Sequence, residues 1–312
     1  MIYWFYRAVA KLPLWLCYPL ATAAAWLTYR VFRYRRRIIL NNLSAAFPEQ
    51  PEAWRQEQLR AFYRGLADTT FEIIFGRQLC LADFKARVRY ENPEVLRDAT
   101  NNFTRSALVL TLHQGNWEWM LHGATAEFDI RIDPVYKRLH SAGADRFTLE
   151  ARSQFGSKPI LMQHVARNVL KHRREPRVIV LVADQSPGKR ERVHWTTFLN
   201  QSTAFFSGGA TIAQATEMPI VFAVCQRQAR GQYSVHLEMI TAHPHAMDDT
   251  DIIARYVALT EREVRKRPAD WLWSNRRWKL APSGDQNQSD QAVAATDSTA
   301  ASDKSSQAKP SP

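Results

Sequence analysis

The fold of this chain is decided by an apolar run that ends in a polar turn, Ala107-Leu108-Val109-Leu110-Thr111-Leu112 followed by His113-Gln114-Gly115-Asn116-Trp117-Glu118. A continuous apolar run of this length is typical of a strand buried inside a parallel sheet. In open α/β sheets, ligands bind beyond the carboxyl ends of the strands. The same stretch therefore predicts a fold class and a candidate site.

His113 and Glu118 have the chemistry of a general base and its partner. An imidazole takes up a proton near neutral pH, because its reference pKa is about 6.5. Glu118 can hold one tautomer and stabilise the imidazolium as it forms. Backbone N–H groups around Gly115 and Asn116 can stabilise an oxyanion. The alternative interpretation is a helix N-cap with a solvated histidine.

Strand and helix patterns alternate along the rest of the chain. We predict strands at 106–112, 130–135 and 177–183, a strand pair at 218–225 and 233–240, and helices at 51–75, 117–126, 145–155, 164–172, 208–216 (capped by Ser207) and 251–267. This order predicts an α/β fold with a mixed, mostly parallel sheet flanked by helices, and an N-terminal membrane-anchoring helix.

A second group of candidates follows two of the other predicted strands. Asp184 and Gln185 end the strand at 177–183, where a buried carboxylate can fix a loop, orient a basic residue or form a simple Asx-turn. Basic residues that can bind phosphate are Lys137, Arg138 and Arg152, with Lys189, Arg190 and Arg192 on the loop after Asp184. A solvated surface role remains open for each of them.

The N-terminal segment carries no charge over roughly 18 residues, from Leu12 to Tyr29, and Arg30, Arg33 and Arg35 to Arg37 follow it. This pattern favours an anchor that spans a bilayer with the downstream domain in the cytoplasm. A helix lying at the membrane surface and a soluble core helix are the alternatives. The predicted divisions are an anchor at 1–40, a domain at 41–282 that begins with a short linker (41–48), and a disordered tail at 283–312.

The charge of the whole chain points to an anionic partner. The 312 residues carry a net charge of +12 with a pI of about 9.8, which suits an acidic membrane surface, a phosphorylated substrate or nucleic acid. No nucleic-acid-binding motif accompanies this charge, so nucleic acid is not expected as a partner. The three cysteines and the histidines His122, His243 and His245 lack metal-ligand spacing, and no metal or cofactor is expected.

The residues His113, Gly115, Asn116, Trp117 and Glu118 resemble the His-x4-Glu motif of the bacterial lipid A late acyltransferases, and the resemblance extends to Leu280. It implies acyl-acyl carrier protein as donor and a lipid A precursor, a phosphorylated glycolipid, as acceptor. It also implies the cytoplasmic face of a bacterial inner membrane. A lysophospholipid acceptor, or a basic binding protein without catalysis, are the alternatives.

The resemblance also implies roles for other residues. Asp184 and Gln185 resemble an element that positions substrate, and an arginine, Arg138 or Arg152, is expected to hold phosphate. Asn200 stands where the family usually has glycine, which leaves the geometry of that loop open. The segment Trp271–Lys279 lacks the family's histidine and suits either a headgroup-level surface or packing on the core.

Overall fold

The computed structural model of the protein describes residues 1–188 and 191–280. The predicted tail at 283–312 and the basic residues Lys189 and Arg190 lie outside these ranges.

Within the described ranges, the centre of the fold is a seven-stranded sheet with the order β1-β9-β8-β2-β5-β3-β4. The antiparallel pair is β8–β9, and the other neighbouring strands run parallel. The strands of this sheet are β1 (Val88–Tyr90), β2 (Ala107–Thr111), β3 (Arg131–Tyr136), β4 (Ile160–Leu161), β5 (Arg177–Val182), β8 (Ile220–Ala229) and β9 (Gln232–Thr241). The predicted mixed, mostly parallel α/β sheet is confirmed.

Helices cover both faces of the sheet. They are α1 (Ile2–Ala10), α2 (Leu14–Trp26), α3 (Arg36–Ala46), α4 (Glu52–Phe75), α5 (Leu81–Arg87), α6 (Glu94–Ala99), α7 (Trp117–Glu127), α8 (Ala142–Arg152), α9 (Val165–Lys171), α10 (Gly208–Thr216) and α11 (Asp249–Lys266). Side chains alternate along β2, so that Leu108 and Leu110 pack in the same core as α4, α10 and α11, whereas Ala107 and Val109 pack with α5, α6 and α7.

A separate hairpin, β6 (Val193–Phe198) and β7 (Gln201–Phe206), packs beside the sheet. Its two-residue turn places Leu199 and Asn200 at φ angles of 50° and 63°. Positive φ at both central residues is the geometry of the hairpin turns that match strand twist. Because asparagine adopts left-handed backbone more readily than most residues, this loop forms without the family's glycine.

Two local predictions were wrong. Residues 41–48 are not a linker, because α3 continues to Ala46 and buries Ile39, Leu43 and Ala46 at helical spacing. Ser207 lies at the N-cap of α10 but makes no side-chain cap, and its hydroxyl donates instead to the Arg192 carbonyl oxygen.

The N-terminal region consists of two short helices followed by a π-helical turn at Leu27–Val31. Across residues 1–188 and 191–280, no helix combines the length and the apolar character needed to cross a membrane. The predicted spanning anchor is therefore not confirmed.

Candidate active site

His113 and Asp184 lie side by side because they follow adjacent parallel strands. The register pairs Thr111 of β2 with Val182 of β5, and each residue of interest comes two positions later. His113 Nδ1 lies 2.6 Å from Asp184 Oδ1, and the His113 backbone N–H donates to Oδ2 at 3.0 Å. The Trp271 indole N–H also donates to Oδ2, at 2.7 Å. Asp184 thus orients a basic residue, one of the roles predicted for it.

The protonation of this pair follows from its surroundings. Burial alone would raise the pKa of Asp184, but the charge of His113 and the hydrogen bonds from His113 and Trp271 lower it overall. An ionised carboxylate can only accept hydrogen bonds, so His113 Nδ1 carries the proton. Nε2 is left with a lone pair, and the Gln185 side-chain nitrogen lies 3.1 Å from it.

Glu118 is bound to a cation of its own. Both of its carboxylate oxygens accept from Arg152, with distances of 2.9 and 2.5 Å. Burial would raise the pKa of Glu118, but the Arg152 charge and hydrogen bonds lower it overall. The hydrogen bond expected between Glu118 and His113 is made by Asp184 instead, so a catalytic part for Glu118 stays a prediction.

Gly115 and Asn116 shape the turn between strand and helix. Gly115 has a φ of 62°, and a Cβ there would lie 2.4 Å from the Cys225 carbonyl oxygen, so no larger residue fits. The Asn116 side chain caps α7 by accepting from the Trp119 N–H at 3.0 Å, and its amide donates to Glu72 at 3.1 Å. These contacts give Gly115 and Asn116 a structural role in the turn. The substrate contacts expected for the two residues stay a prediction.

One of the two expected oxyanion donors is already occupied. The Gly115 N–H donates to the Asp270 carbonyl oxygen at 3.2 Å. The first N–H groups of a helix have no intrahelical acceptor. Among the described residues, the N–H groups of Asn116, Trp117 and Glu118 meet no other acceptor, so a role as oxyanion donors stays a prediction for this turn.

The basic candidates separate into two groups. Lys137 and Arg138 are exposed beyond the end of β3. Arg152 is paired with Glu118, and the pair is largely buried, with 18% and 11% of the two side chains exposed. Its predicted phosphate contact would therefore compete with an ion pair.

Two residues at the base of the site were missed by sequence reasoning. Trp271 is buried and binds Asp184, and with Trp273, also buried, it confirms the core-packing interpretation of residues 271–279. Glu72 is fully buried on α4 and accepts from Asn116, from the Gly231 N–H, and from the hydroxyls of Tyr18 and Tyr233. Neither role has a local sequence signal, since each depends on partners far along the chain.

Trp117 lines two cavities beside the site. The first, here the apolar cavity, lies between the sheet and α7. The second, here the polar cleft, is more open and reaches Gln185. The apolar cavity is lined by residues such as Val109, Val178, Val180, Met120, Leu121 and Ala124. Polar lining of the cleft comes from Arg35, Thr69, Thr70, Gln185, Ser274 and Asn275.

Comparison with known proteins places this arrangement in context. A protein-family model described as bacterial lipid A biosynthesis acyltransferase matches residues 1–280. A lipid A biosynthesis acyltransferase from Haemophilus influenzae is 23% identical over 300 residues, which cover 90% of this chain and 91% of that protein.

Proposed function

Because the chain belongs to the bacterial lipid A biosynthesis acyltransferase family, we propose that it moves a fatty acyl group from acyl-acyl carrier protein to a hydroxyl of a lipid A precursor. One observation carries the proposed mechanism. His113 is bound at Nδ1 by an ionised carboxylate, while Nε2 keeps its lone pair 3.1 Å from the side-chain nitrogen of Gln185, a residue that lines the polar cleft.

The reaction requires one proton transfer in each direction. His113 Nε2 takes the proton of the acceptor hydroxyl as its oxygen forms a bond to the thioester carbonyl carbon. The carbon–sulfur bond then breaks, and the leaving thiolate recovers the proton from the imidazolium. General-base catalysis of this kind is worth roughly 10²–10⁴ in rate.

Two carboxylates support this chemistry in different ways. Asp184 keeps the proton of His113 on Nδ1 and stabilises the imidazolium as it forms. Glu118 was predicted to take that part. We now assign it to the wall of the apolar cavity, where Arg152 neutralises it close to the reacting groups. The N–H groups of Trp117 and Glu118 are the proposed donors to the tetrahedral oxyanion.

The apolar cavity provides a place for the acyl chain. Alternate residues of β2 and β5 form one wall of the cavity, and one face of α7 forms another. Burying a methylene group stabilises a complex by about 0.8 kcal/mol, so each methylene group that enters the cavity would add roughly that much binding free energy. The depth of the cavity along α7 would limit the length of that chain.

The membrane contact proposed for the N-terminal region rests on exposed side chains. Trp4, Trp15 and Phe32 are 69%, 74% and 70% exposed on or beside α1 and α2. The arginines from Arg30 to Arg37 lie next to them along the chain. Exposed aromatic residues beside a basic block suit the surface of an anionic bilayer, which we place at the cytoplasmic side of the inner membrane.

The decisive experiment is transfer by the purified full-length protein. Wild-type protein and the His113→Ala variant are each incubated with a lipid A precursor and one of two donors, acyl-acyl carrier protein or acyl-coenzyme A. The acylated products are quantified by mass spectrometry. We expect acylated precursor from the carrier-protein donor and loss of at least 10²-fold in the variant, which should keep the melting temperature of the wild type.

The same assay separates the alternatives. A lysophospholipid that is acylated faster than the precursor would replace the proposed acceptor. Normal turnover by His113→Ala would defeat the proposed mechanism.

A further inference from the structure

Gln185 connects the polar cleft to His113. Gln185 lines this cleft, and its side-chain nitrogen lies 3.1 Å from His113 Nε2, the atom that takes the proton. A hydroxyl arriving through the cleft reaches Nε2 by displacing the Gln185 amide. Trp117 also lines the apolar cavity, whose lining includes Glu118 and Arg152.

The lining of the cleft is suited to an anionic, hydroxylated molecule. Among the described residues that form it, Arg35 supplies positive charge and none supplies a carboxylate. Thr70 and Ser274 add hydroxyl groups, and Asn275 adds an amide. This combination fits a phosphorylated sugar better than a fatty chain.

A hydrogen bond to the backbone holds the Arg35 side chain, and the backbone of Arg35 itself has an unusual conformation. Its guanidinium donates to the Ser274 carbonyl oxygen at 2.7 Å, which leaves most of its five N–H donors for a ligand. Its backbone has a φ of 51°, a conformation that residues other than glycine rarely adopt and that is often found at functional sites.

The wall behind Arg35 is also fixed. Asn42 of α3 donates through its side-chain amide to the carbonyl oxygens of Trp273 and Asn275, at 2.9 and 3.0 Å. The middle of α3 and the turn around Ser274 are thereby tied together, so this wall of the cleft is formed before a ligand enters.

We infer that the polar cleft binds the phosphorylated sugar headgroup of the acceptor, with Arg35 as the residue that holds a phosphate. This assignment rests on the proposed function and deepens it. Val31 and Phe32, 55% and 70% exposed, come just before Arg35 in the chain. They offer an apolar surface for the acceptor's own lipid chains while its headgroup lies in the cleft.

The test compares Arg35→Gln with Arg64→Gln, which removes the same charge from an exposed position on α4. Steady-state kinetics are measured in detergent solution, so that recruitment to an anionic surface does not contribute. The acceptors are a phosphorylated lipid A precursor and the same lipid after phosphatase treatment.

For Arg35→Gln we expect the KM of the phosphorylated acceptor to rise about 10- to 100-fold, the loss typical of a charge-assisted hydrogen bond. Its kcat, its donor KM and its kinetics on the dephosphorylated acceptor should match the wild type. Arg64→Gln should match the wild type throughout. Arg35→Lys keeps the positive charge but lacks the planar guanidinium, so its KM for the phosphorylated acceptor should be intermediate. This second variant tests the assignment if Arg35→Gln folds poorly.

Three results would overturn the assignment: an unchanged acceptor KM in Arg35→Gln, a raised donor KM instead, or an equal loss with the dephosphorylated lipid. His113→Ala, assayed in parallel, separates the two failures. Normal turnover in that variant defeats the proposed function. An inactive His113→Ala with an unresponsive Arg35→Gln defeats the acceptor cleft alone.

Discussion

The His113–Asp184 and Glu118–Arg152 pairs flank the same turn, yet they leave different atoms available. Asp184 binds His113 at Nδ1 and leaves Nε2 beside Gln185, which lines the polar cleft. Arg152 donates to both oxygens of Glu118, so that carboxylate is already paired with a cation. Glu118 was predicted as the partner of His113 because the two are close in sequence. The observed partner is Asp184, 71 residues away, which the order of the strands brings beside His113. The pair with an open atom is the one suited to proton transfer.

Asp184→Asn should have the larger effect on rate. Oδ2 accepts from two N–H groups, so the asparagine oxygen will take that position and its NH₂ will face His113 Nδ1. That arrangement moves the imidazole proton to Nε2 and removes the base. We expect kcat to fall about 10²–10⁴-fold with little change in melting temperature, by analogy with the wrong tautomer in serine proteases.

Trp271→Phe is the matched control, because it removes one donor to Asp184 without changing the tautomer of His113. The kcat of Trp271→Phe should fall by less than about tenfold. A fall in kcat equal to that of Asp184→Asn would mean that packing, and not the proton on Nδ1, decides the rate.

Glu118→Gln should lower the stability of the fold more, and kcat less, than Asp184→Asn does. The neutral amide leaves the largely buried Arg152 charge uncompensated, at a cost of about 1–3 kcal/mol in the free energy of unfolding. We expect a loss of about tenfold in kcat, measured beside denaturant unfolding. A rate loss as large as that of Asp184→Asn would return Glu118 to the catalytic role first predicted for it.

A fall in pH should remove the difference in melting temperature between the wild type and Glu118→Gln. The pKa of Glu118 is lowered in the folded protein, so its stabilisation is present above the unfolded pKa of about 4.3 and is lost as the pH falls through the folded value. The gap in melting temperature should therefore be full at pH 7 and shrink below about pH 4. A gap that is constant down to pH 3 would show that the charge of Glu118 contributes nothing.

The apolar runs made most of the sheet predictable. The run at 177–183 and the strand pair around Arg230-Gly231 predicted a central strand and the antiparallel pair of the sheet. The position of His113 and Asp184 beyond two strands also predicted that both face the ligand crevice. What the sequence could not give was that β2 and β5 are neighbours, and this alone makes the two side chains partners.

The failures have identifiable physical causes. Asn41, Asn42 and Ser44 are turn formers, and they concealed the helical spacing of Ile39, Leu43 and Ala46 in α3. The strands of the β6–β7 hairpin were not predicted, and their turn, Leu199-Asn200, lacks the glycine that commonly marks a hairpin. Trp271 and Arg35 reach the site only through tertiary packing, so no local pattern marks them.

The buried carboxylate of Glu72 has a practical consequence for anyone shortening this protein. Tyr18 of α2 donates to the same oxygen of Glu72 that accepts from the Gly231 N–H, and the other oxygen accepts from Asn116 at the turn between β2 and α7. Removing the N-terminal helices to gain solubility would remove Tyr18 and open this buried junction to water. Expression designs that begin after α2 should therefore be judged by turnover as well as by yield.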